Sequence, residues 1–277
     1  MAKVAVVGKN SLIAGALRRE EAAGHWCFVG HEEALTHTDW LRGIDTVINC
    51  AFDPRLKTQA YEAEFDADLK IASLLRDRDE VRYVMLSSRL VYGVQTSDAR
   101  LTESVVPQPD RPYGMAKLRT EQELLGALGE RLTVLRLSNV FGAEYQAGRS
   151  NFFAIALRTL LEQGRIVLDM NPTVPRDFIP VESVARALID ISNAIRPGVF
   201  NIGAGHGTPT GHIAQWLIEG FGAGQVVVSN ARDYDAFWLD IDRDRQAFGF
   251  SGVPASEIRQ HCLRLGSDLR ALTRRVA

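Results

Sequence analysis

Val4-Ala5-Val6-Val7-Gly8-Lys9-Asn10-Ser11-Leu12-Ile13-Ala14-Gly15 is the stretch that decides the fold. Four apolar residues in a row, three of them β-branched, suit a strand buried on both faces, because neither face is left for water. Gly8 supplies the turn, and the apolar spacing from Leu12 onward predicts a helix as far as Ala23. A strand that passes through a tight turn into a helix leaves unpaired N–H groups and a partial positive charge at the helix start, where a pyrophosphate can rest. The spacing here is Gly8-x-x-Ser11-x-x-Ala14, with only the first glycine in place, so the loop alone reads equally as a plain connection.

Outward from this unit the pattern repeats. Trp26 to Val29 predicts a second strand ending at Gly30-His31-Glu32-Glu33. An acidic residue directly after such a strand receives an adenosine ribose; His31 stands in that place, with Glu32 one step late. Gly43 to Ala51 predicts a buried strand with a polar exit, and Tyr61 to Arg76 a helix. Val81 to Leu86 is a strand with Ser87 and Ser88 at its end, a pair that could equally start a turn. Leu132 to Leu137 is another, with Ser138-Asn139-Val140-Phe141-Gly142 at its exit. Strands alternating with helices in this way predict a parallel sheet covered on both sides, with ligands beyond the carboxyl ends of the strands. After Gly142 the rhythm breaks. Helices are expected from Asn151 to Gln163, Ser183 to Ile195, near His212 to Glu219 and from Ser256 to Arg274. Short strands are expected at Arg165 to Asp169 and Val199 to Ile202. The expected organisation is a parallel-sheet domain over residues 1–142, joined by 176–202, and a smaller lobe from 143–175 and 203–277.

Composition narrows the function. With 277 residues and 46% hydrophobic content the chain can fill a sizeable core. Its 32 basic and 34 acidic residues leave a formal charge of −2 with no long run of either sign. Nothing electrostatic therefore points to nucleic acid or a membrane surface, and small-molecule chemistry is expected. Cys27, Cys50 and Cys262 are widely spaced, as befits reduced thiols in neither a disulfide framework nor a zinc site. His31 and His37 lie in a loop-like stretch, and His206 and His212 lack partner ligands at useful spacing, so no metal is expected. Met1-Ala2-Lys3 leads straight into the first strand, leaving no room for a signal peptide, and no apolar run reaches about 18 residues. A cytoplasmic protein is the expectation.

The chemistry gathers at Arg111-Pro112-Tyr113-Gly114-Met115-Ala116-Lys117. Pro112 suits the first turn of a helix, and Tyr113 and Lys117, four apart, share a face. A free phenol has a pKa of about 10 and exchanges protons poorly at neutral pH until a cation stabilises its phenolate. Lys117 is that cation. Taken alone, the pair also fits an exposed helix with a surface lysine.

Together these stretches resemble the extended short-chain dehydrogenase/reductase family, in its branch of NAD(P)-dependent nucleotide-sugar epimerases, dehydratases and reductases. The likeness runs along nearly the whole chain. It rests on the turn at Gly8, the exit Asn49-Cys50-Ala51, Ser87-Ser88-x-x-Val91-Tyr92-Gly93, Tyr113-x-x-x-Lys117, Leu135-Arg136-Leu137-x-Asn139-x-x-Gly142 and Arg176-Asp177-Phe178-Ile179-x-Val181. It implies an α/β fold, a Rossmann-like doubly wound parallel sheet with a small C-terminal substrate-binding lobe. It implies Tyr113 as catalytic acid/base, Lys117 as holder of the nicotinamide ribose, and Ser88 as hydrogen-bond donor to the reacting oxygen. That trio suits hydride transfer, which builds negative charge on a carbonyl oxygen that a hydroxyl and a phenol can stabilise and protonate. Cofactor contacts are implied at Gly8, Lys9, Asn10, Ser11, Leu12, Ile13, His31, Cys50, Ala51, Ser87, Tyr113, Lys117 and Val140, and substrate contacts at Arg89, Asn139, Asn151 and Arg176. Arg176 would meet a nucleotide diphosphate, or else pair with Asp177 or another carboxylate at the lobe junction.

Departures from the family pattern refine the expectation. Arg89 and Leu90 stand where family dehydratases carry an acidic pair, which argues against a sugar dehydratase. Lys9, with no acid at His31, favours the 2′-phosphate of NADP, with NAD as the alternative. The short second lobe tilts an epimerase-or-reductase reading towards a reductase. Relatives often dimerise through the helices corresponding to Tyr61–Arg76 and Met115–Leu128; the apolar residues on more than one face of these stretches fit a homodimer and equally two-sided packing within the monomer. Two other readings stay open: a reductase of a small ketone or aldehyde, and a dinucleotide-binding sensor without turnover. The missing glycines favour the sensor; the complete set of Ser88, Tyr113 and Lys117 speaks against it.

Overall fold

Six apolar runs join into one parallel sheet in the computed structural model, which describes residues 3–94, 99–144, 151–232 and 234–276. They are β1 (Val4–Val7), β2 (Cys27–Val29), β3 (Thr46–Asn49), β4 (Arg82–Ser88), β5 (Leu132–Leu137) and β6 (Gly198–Ile202). The strand order is β6-β5-β4-β3-β1-β2, and every pairing is parallel. All residues of β1, β3 and β5 are buried, the polar Thr46, Asn49, Thr133 and Arg136 among them. From β1 the chain turns one way to β2 and the other way to β3, so a crevice opens between the carboxyl ends of β1 and β3.

Helices cover both faces. They are α1 (Leu12–Leu17), α2 (His31–Thr36), α3 (Ala67–Ser73), α4 (Pro112–Leu128), α5 (Phe152–Gln163), α6 (Val181–Asn193), α7 (Thr210–Phe221), α8 (Asp242–Phe248) and α9 (Ala255–Val276). Strand alternation sends Val4 and Val6 to one core, with Leu17, Val184 and Leu188, and Val7 to the other, with Ile71, Tyr83 and Leu124. Each such leucine removed from water contributes about 1.5–3 kcal/mol. The first core continues without a break into Leu157, Leu217 and Ile258 of α5, α7 and α9. The buried face of α4 carries Lys117, Thr120 and Glu121 beside Ala116 and Leu124, so polar groups are sunk where α4 meets the sheet.

Short two-stranded ladders outside the main sheet join further segments of the chain. Phe178–Pro180 runs parallel to Asn139–Phe141, Arg100–Leu101 to Trp238–Leu239, and Arg165–Leu168 to Gln225–Val228. Asp177, fully buried, accepts from the N–H of Ala204 (2.8 Å) and of Leu239 (3.1 Å), joining three segments with one carboxylate.

Three expectations need correction. The helix expected over Tyr61–Arg76 is confined to α3, because Asp66 Oδ1 accepts from the N–H groups of Asp68 (2.9 Å) and Leu69 (3.2 Å) and fixes the helix start there. The first helix ends at Leu17, where Arg19 and Glu20 tighten to i→i−3 bonds, and Glu21–Ala23 is a separate 3₁₀ turn. His31 belongs to α2 and not to a loop: Glu33 reaches back to the Gly30 N–H at 3.2 Å and caps the helix.

Candidate active site

At the crevice the two strand exits nearly touch. Gly8 has φ +88°, and a Cβ there would lie 2.8 Å from the Ala51 nitrogen, so only glycine fits. Asn49 shapes the opposite side: its Oδ1 accepts from Ala51 N–H at 2.9 Å, and its Nδ2 donates to Asp68 Oδ1 at 2.8 Å. The two positions that lack glycine have other work. Ser11 Oγ accepts from Ala14 N–H at 3.1 Å and caps α1, and Ala14 is buried in the core. Lys9, Asn10, Ser11 and Leu12 line a groove of about 580 Å³ with Arg18 and Arg19. Ile13 packs part-buried against the first core, as do Cys50 and Val140. Burial pushes the Cys50 thiol up to about 12. Lys9 Nζ lies 2.9 Å from Glu33 Oε2, and His31 is exposed beside Glu32.

β4 ends at Ser88, whose Oγ accepts from Leu90 N–H at 3.2 Å and so keeps its own hydrogen to donate. Gly114 lets α4 approach this turn, since a Cβ there would lie 2.4 Å from the Leu90 carbonyl oxygen. Tyr113 and Ser88 thereby share a cavity of about 420 Å³, which Ser87, Asn139, Val140, Asn151 and Arg176 also line. A cavity of this size suits a small-molecule ligand. Asn151 holds α5 through its Oδ1, accepting from Ala154 N–H at 2.8 Å, and its Nδ2 donates to Glu144. Asn139 Nδ2 donates to the Asp177 carbonyl at 2.9 Å.

Behind Tyr113 sits the lysine. The Tyr113 ring meets Phe52 edge-on with centroids 5.0 Å apart, and Lys117 Nζ lies 4.9 Å from the same Phe52 centroid. Lys117 is 4% exposed, so it is no surface lysine. Burial opposes its charge, but Asp68, 3.4 Å away, outweighs that with help from Tyr113 and Asp66, and the ammonium titrates above the usual lysine range. Asp68 is pushed the other way for a carboxylate: burial raises it, against the pull of Lys117. Beside this pair, Ser87 Oγ donates to Glu121, which Arg136 grips through Nη2 at 2.7 Å and Nε at 3.2 Å.

The two arginines expected to meet substrate share one carboxylate. Arg89 Nη1 donates to Asp235 Oδ2 at 2.7 Å, and Arg176 Nη2 to Asp235 Oδ1 at 3.0 Å. Arg89 also stacks on Phe237, 3.9 Å from its centroid. Burial pushes both guanidiniums down from the usual arginine range, opposed in each by Asp235. Arg176 thus pairs with a carboxylate of the later chain and not with Asp177, while its buried Nε has no hydrogen-bond partner among the described residues. Arg176 stands at the cavity wall; Arg89 is turned towards Asp235.

Sequence reading missed Glu33, Asp68, Glu121 and Asp235. Glu121 carried a signal, since it follows Lys117 by four positions on the buried face of α4. Asp235 carried none. Among the described residues no cluster of three or more histidine, cysteine or acidic side chains could hold a metal ion, and no helix is long and apolar enough to cross a membrane.

No curated protein matches the chain by sequence. Solved structures resemble it closely in fold. The UDP-glucose 4-epimerase of Thermotoga maritima, solved with UDP-glucose, aligns at TM-score 0.82 and 20% identity over 99% of this chain and 100% of its own. The RMD protein of Pseudomonas aeruginosa, complexed with NADPH, aligns at 0.75 and 22% over 98% and 100%. The dTDP-glucose 4,6-dehydratase of Bacillus anthracis, in complex with NAD, aligns at 0.77 and 17% over 99% and 98%. The family model described as NAD dependent epimerase/dehydratase family matches residues 4–203, the span that holds the Gly8 turn, the Ser88, Tyr113 and Lys117 set and Arg176. The chain belongs to the NAD dependent epimerase/dehydratase family.

Proposed function

We propose that the protein is an NAD(P)-dependent oxidoreductase acting at a carbon of a nucleotide-linked sugar, as a reductase or an epimerase. One observation carries the reading: Ser88 and Tyr113 line one cavity with Arg176, and Lys117 is buried behind Tyr113 across the Phe52 ring. The groove of about 580 Å³ that Lys9, Asn10, Ser11 and Leu12 line beyond the β1 exit supports a dinucleotide in that place. Gly8, Lys9, Asn10, Ser11, Leu12 and Ile13 would hold its phosphates and adenosine end, and Cys50, Ala51, Ser87, Val140 and Lys117 its nicotinamide end. When bound, the nicotinamide supplies or takes the hydride.

Tyr113 moves the proton at the substrate oxygen, and Ser88 donates a hydrogen bond to that oxygen as charge builds on it. Lys117 keeps a fixed positive charge behind the phenol. The guanidinium of Arg176, at the cavity wall, offers donors for a diphosphate oxygen, with Asn139 and Asn151 along the same wall. Lys9 favours NADP, as the cation at the adenosine end; Glu33, paired to it, favours NAD instead, as an acceptor for free ribose hydroxyls. The Asp235 ion pair of Arg176 favours a second substrate reading, a small ketone or aldehyde. Three free cysteines support a reducing compartment such as the cytoplasm.

The test is Tyr113→Phe. Turnover is expected to fall about a hundredfold or more, the range for a lost general acid, while dinucleotide affinity stays almost unchanged. Steady-state rates on nucleotide-sugar and small-carbonyl panels, beside fluorescence titration with NADPH and NADH, read both. Full activity in the variant would sink the assignment.

A further inference from the structure

A lysine that holds a ribose and faces a phenol has to stay charged, yet burial as deep as that of Lys117 favours the neutral amine. Asp68, at the second residue of α3 and 3% exposed, is the group that answers this cost. Its Oδ2 is 3.4 Å from Lys117 Nζ, and its Oδ1 accepts from Asn49 Nδ2 at 2.8 Å and from the Tyr83 hydroxyl at 2.8 Å. Three donors converge on two oxygens. All three neighbours are donors and one of them is a cation, a setting that favours an ionised carboxylate over a protonated carboxyl. We infer that Asp68 is a positioning residue of the reaction: fixed by Asn49 and Tyr83, its carboxylate keeps the Lys117 ammonium charged and aimed for the dinucleotide. This rests on the reading of Lys117 as a dinucleotide-binding group.

The groups around the pair are few. Lys117 faces Asp68 and Asp66 from α3, Tyr113 from its own helix, and Cys50 from the β3 exit. Asp66 is engaged by the hydroxyls of Tyr61 and Thr120, and Tyr83 of β4 faces Asp68. The Cys50 thiol at about 12, and the Tyr83 phenol pushed higher by burial and by Asp68, keep their protons through mildly alkaline solution. With Tyr113 replaced by phenylalanine, Lys117 is the neighbour left to titrate when the Asp68 charge is removed.

The experiment measures the affinity for reduced dinucleotide, NADH or NADPH, by energy transfer from tryptophan over about pH 7.5 to 9.5, in the Tyr113→Phe background. With Asp68 intact, Kd is expected to stay level. In Asp68→Asn, Kd is expected to rise about tenfold or more across the range as Lys117 loses its proton and a charged hydrogen bond is lost. Asp68→Glu, which keeps a carboxylate, should hold Kd level with pH. Should Asp68→Asn fail to fold, Asp68→Ser, smaller and equally neutral, carries the same expectation. A level profile in a folded neutral variant overturns the inference and leaves Asp68 a structural ion-pair partner. Absence of binding by the Tyr113→Phe parent at every pH strikes the oxidoreductase reading itself.

Discussion

Under the proposed function, Glu33 opposes Lys9 in the choice between NADP and NAD. Its carboxylate sits below the usual range, held there first by the hydrogen bond from Lys9 and then by the Gly30 N–H. A 2′-phosphate arriving at Lys9 meets that negative charge, whereas free ribose hydroxyls meet an acceptor. Glu33→Gln keeps a carbonyl oxygen for the Gly30 N–H and releases the ammonium. The ratio of NADPH to NADH affinity is expected to rise about five- to tenfold, a modest figure because both side chains are exposed and screened. Parallel fluorescence titrations measure it, and an unchanged ratio would remove both residues from the adenosine end. The sequence placed the search directly after β2, at His31. The carboxylate that meets Lys9 is instead that of Glu33, the third residue of α2, because a helix start draws that side chain back onto its own first N–H groups.

Elements were legible wherever burial on both faces or strict helical spacing left one solution. β5 and α4 are of that kind, and the strand-turn-helix at Gly8 put the crevice in its place. What escaped was set by side chains acting at a distance or by weak patterns. Asp66 cut α3 short, the strand Gln225–Val228 is half-exposed, and α8 is charged along most of its length. α8 also carries an anomaly. Asp244 is fully buried, neither carboxylate oxygen has a hydrogen-bond partner among the described residues, and burial, with Glu103 and Asp190 nearby, pushes it up to about 8. Unfolded, the same group ionises near about 3.9. The folded chain therefore keeps a proton that the unfolded chain has released, and stability falls as pH rises through the window from about 4 to about 8, then levels. Asp244→Asn has no proton to lose, so its stability advantage is expected to grow by up to about 1.4 kcal/mol per pH unit across that window. Urea unfolding at several pH values reads it; parallel stability curves for the two proteins would place an ionised carboxylate at Asp244.

Across the whole molecule the site is closed by contacts that no local pattern carries. Ser88, Tyr113 and Lys117 were legible because each sits at a strand end or on one helix turn. Asp235 is 146 residues from Arg89 and 59 from Arg176, and only the folded chain brings the three together. The carboxylate, with its side chain 7% exposed, is the counter-charge that buried Arg89 and partly buried Arg176 share, and the pair keeps a net positive charge to which Arg111 adds. It joins the turn after β4 to the later chain, and it occupies the arginines that a diphosphate would otherwise engage. Asp235→Asn takes the ion-pair partner from buried Arg89 and from partly buried Arg176, at an expected cost of about 3 kcal/mol in denaturant unfolding. The same change opens both forks to an added anion. Inorganic pyrophosphate, which lacks base and sugar, should therefore raise the Tm of the variant more than that of the unaltered protein, because an anion that binds only the folded chain stabilises it in proportion to its affinity. Equal shifts would mean that Arg89 and Arg176 serve the fold alone, and the small-carbonyl reading would then take the lead over the nucleotide-sugar one.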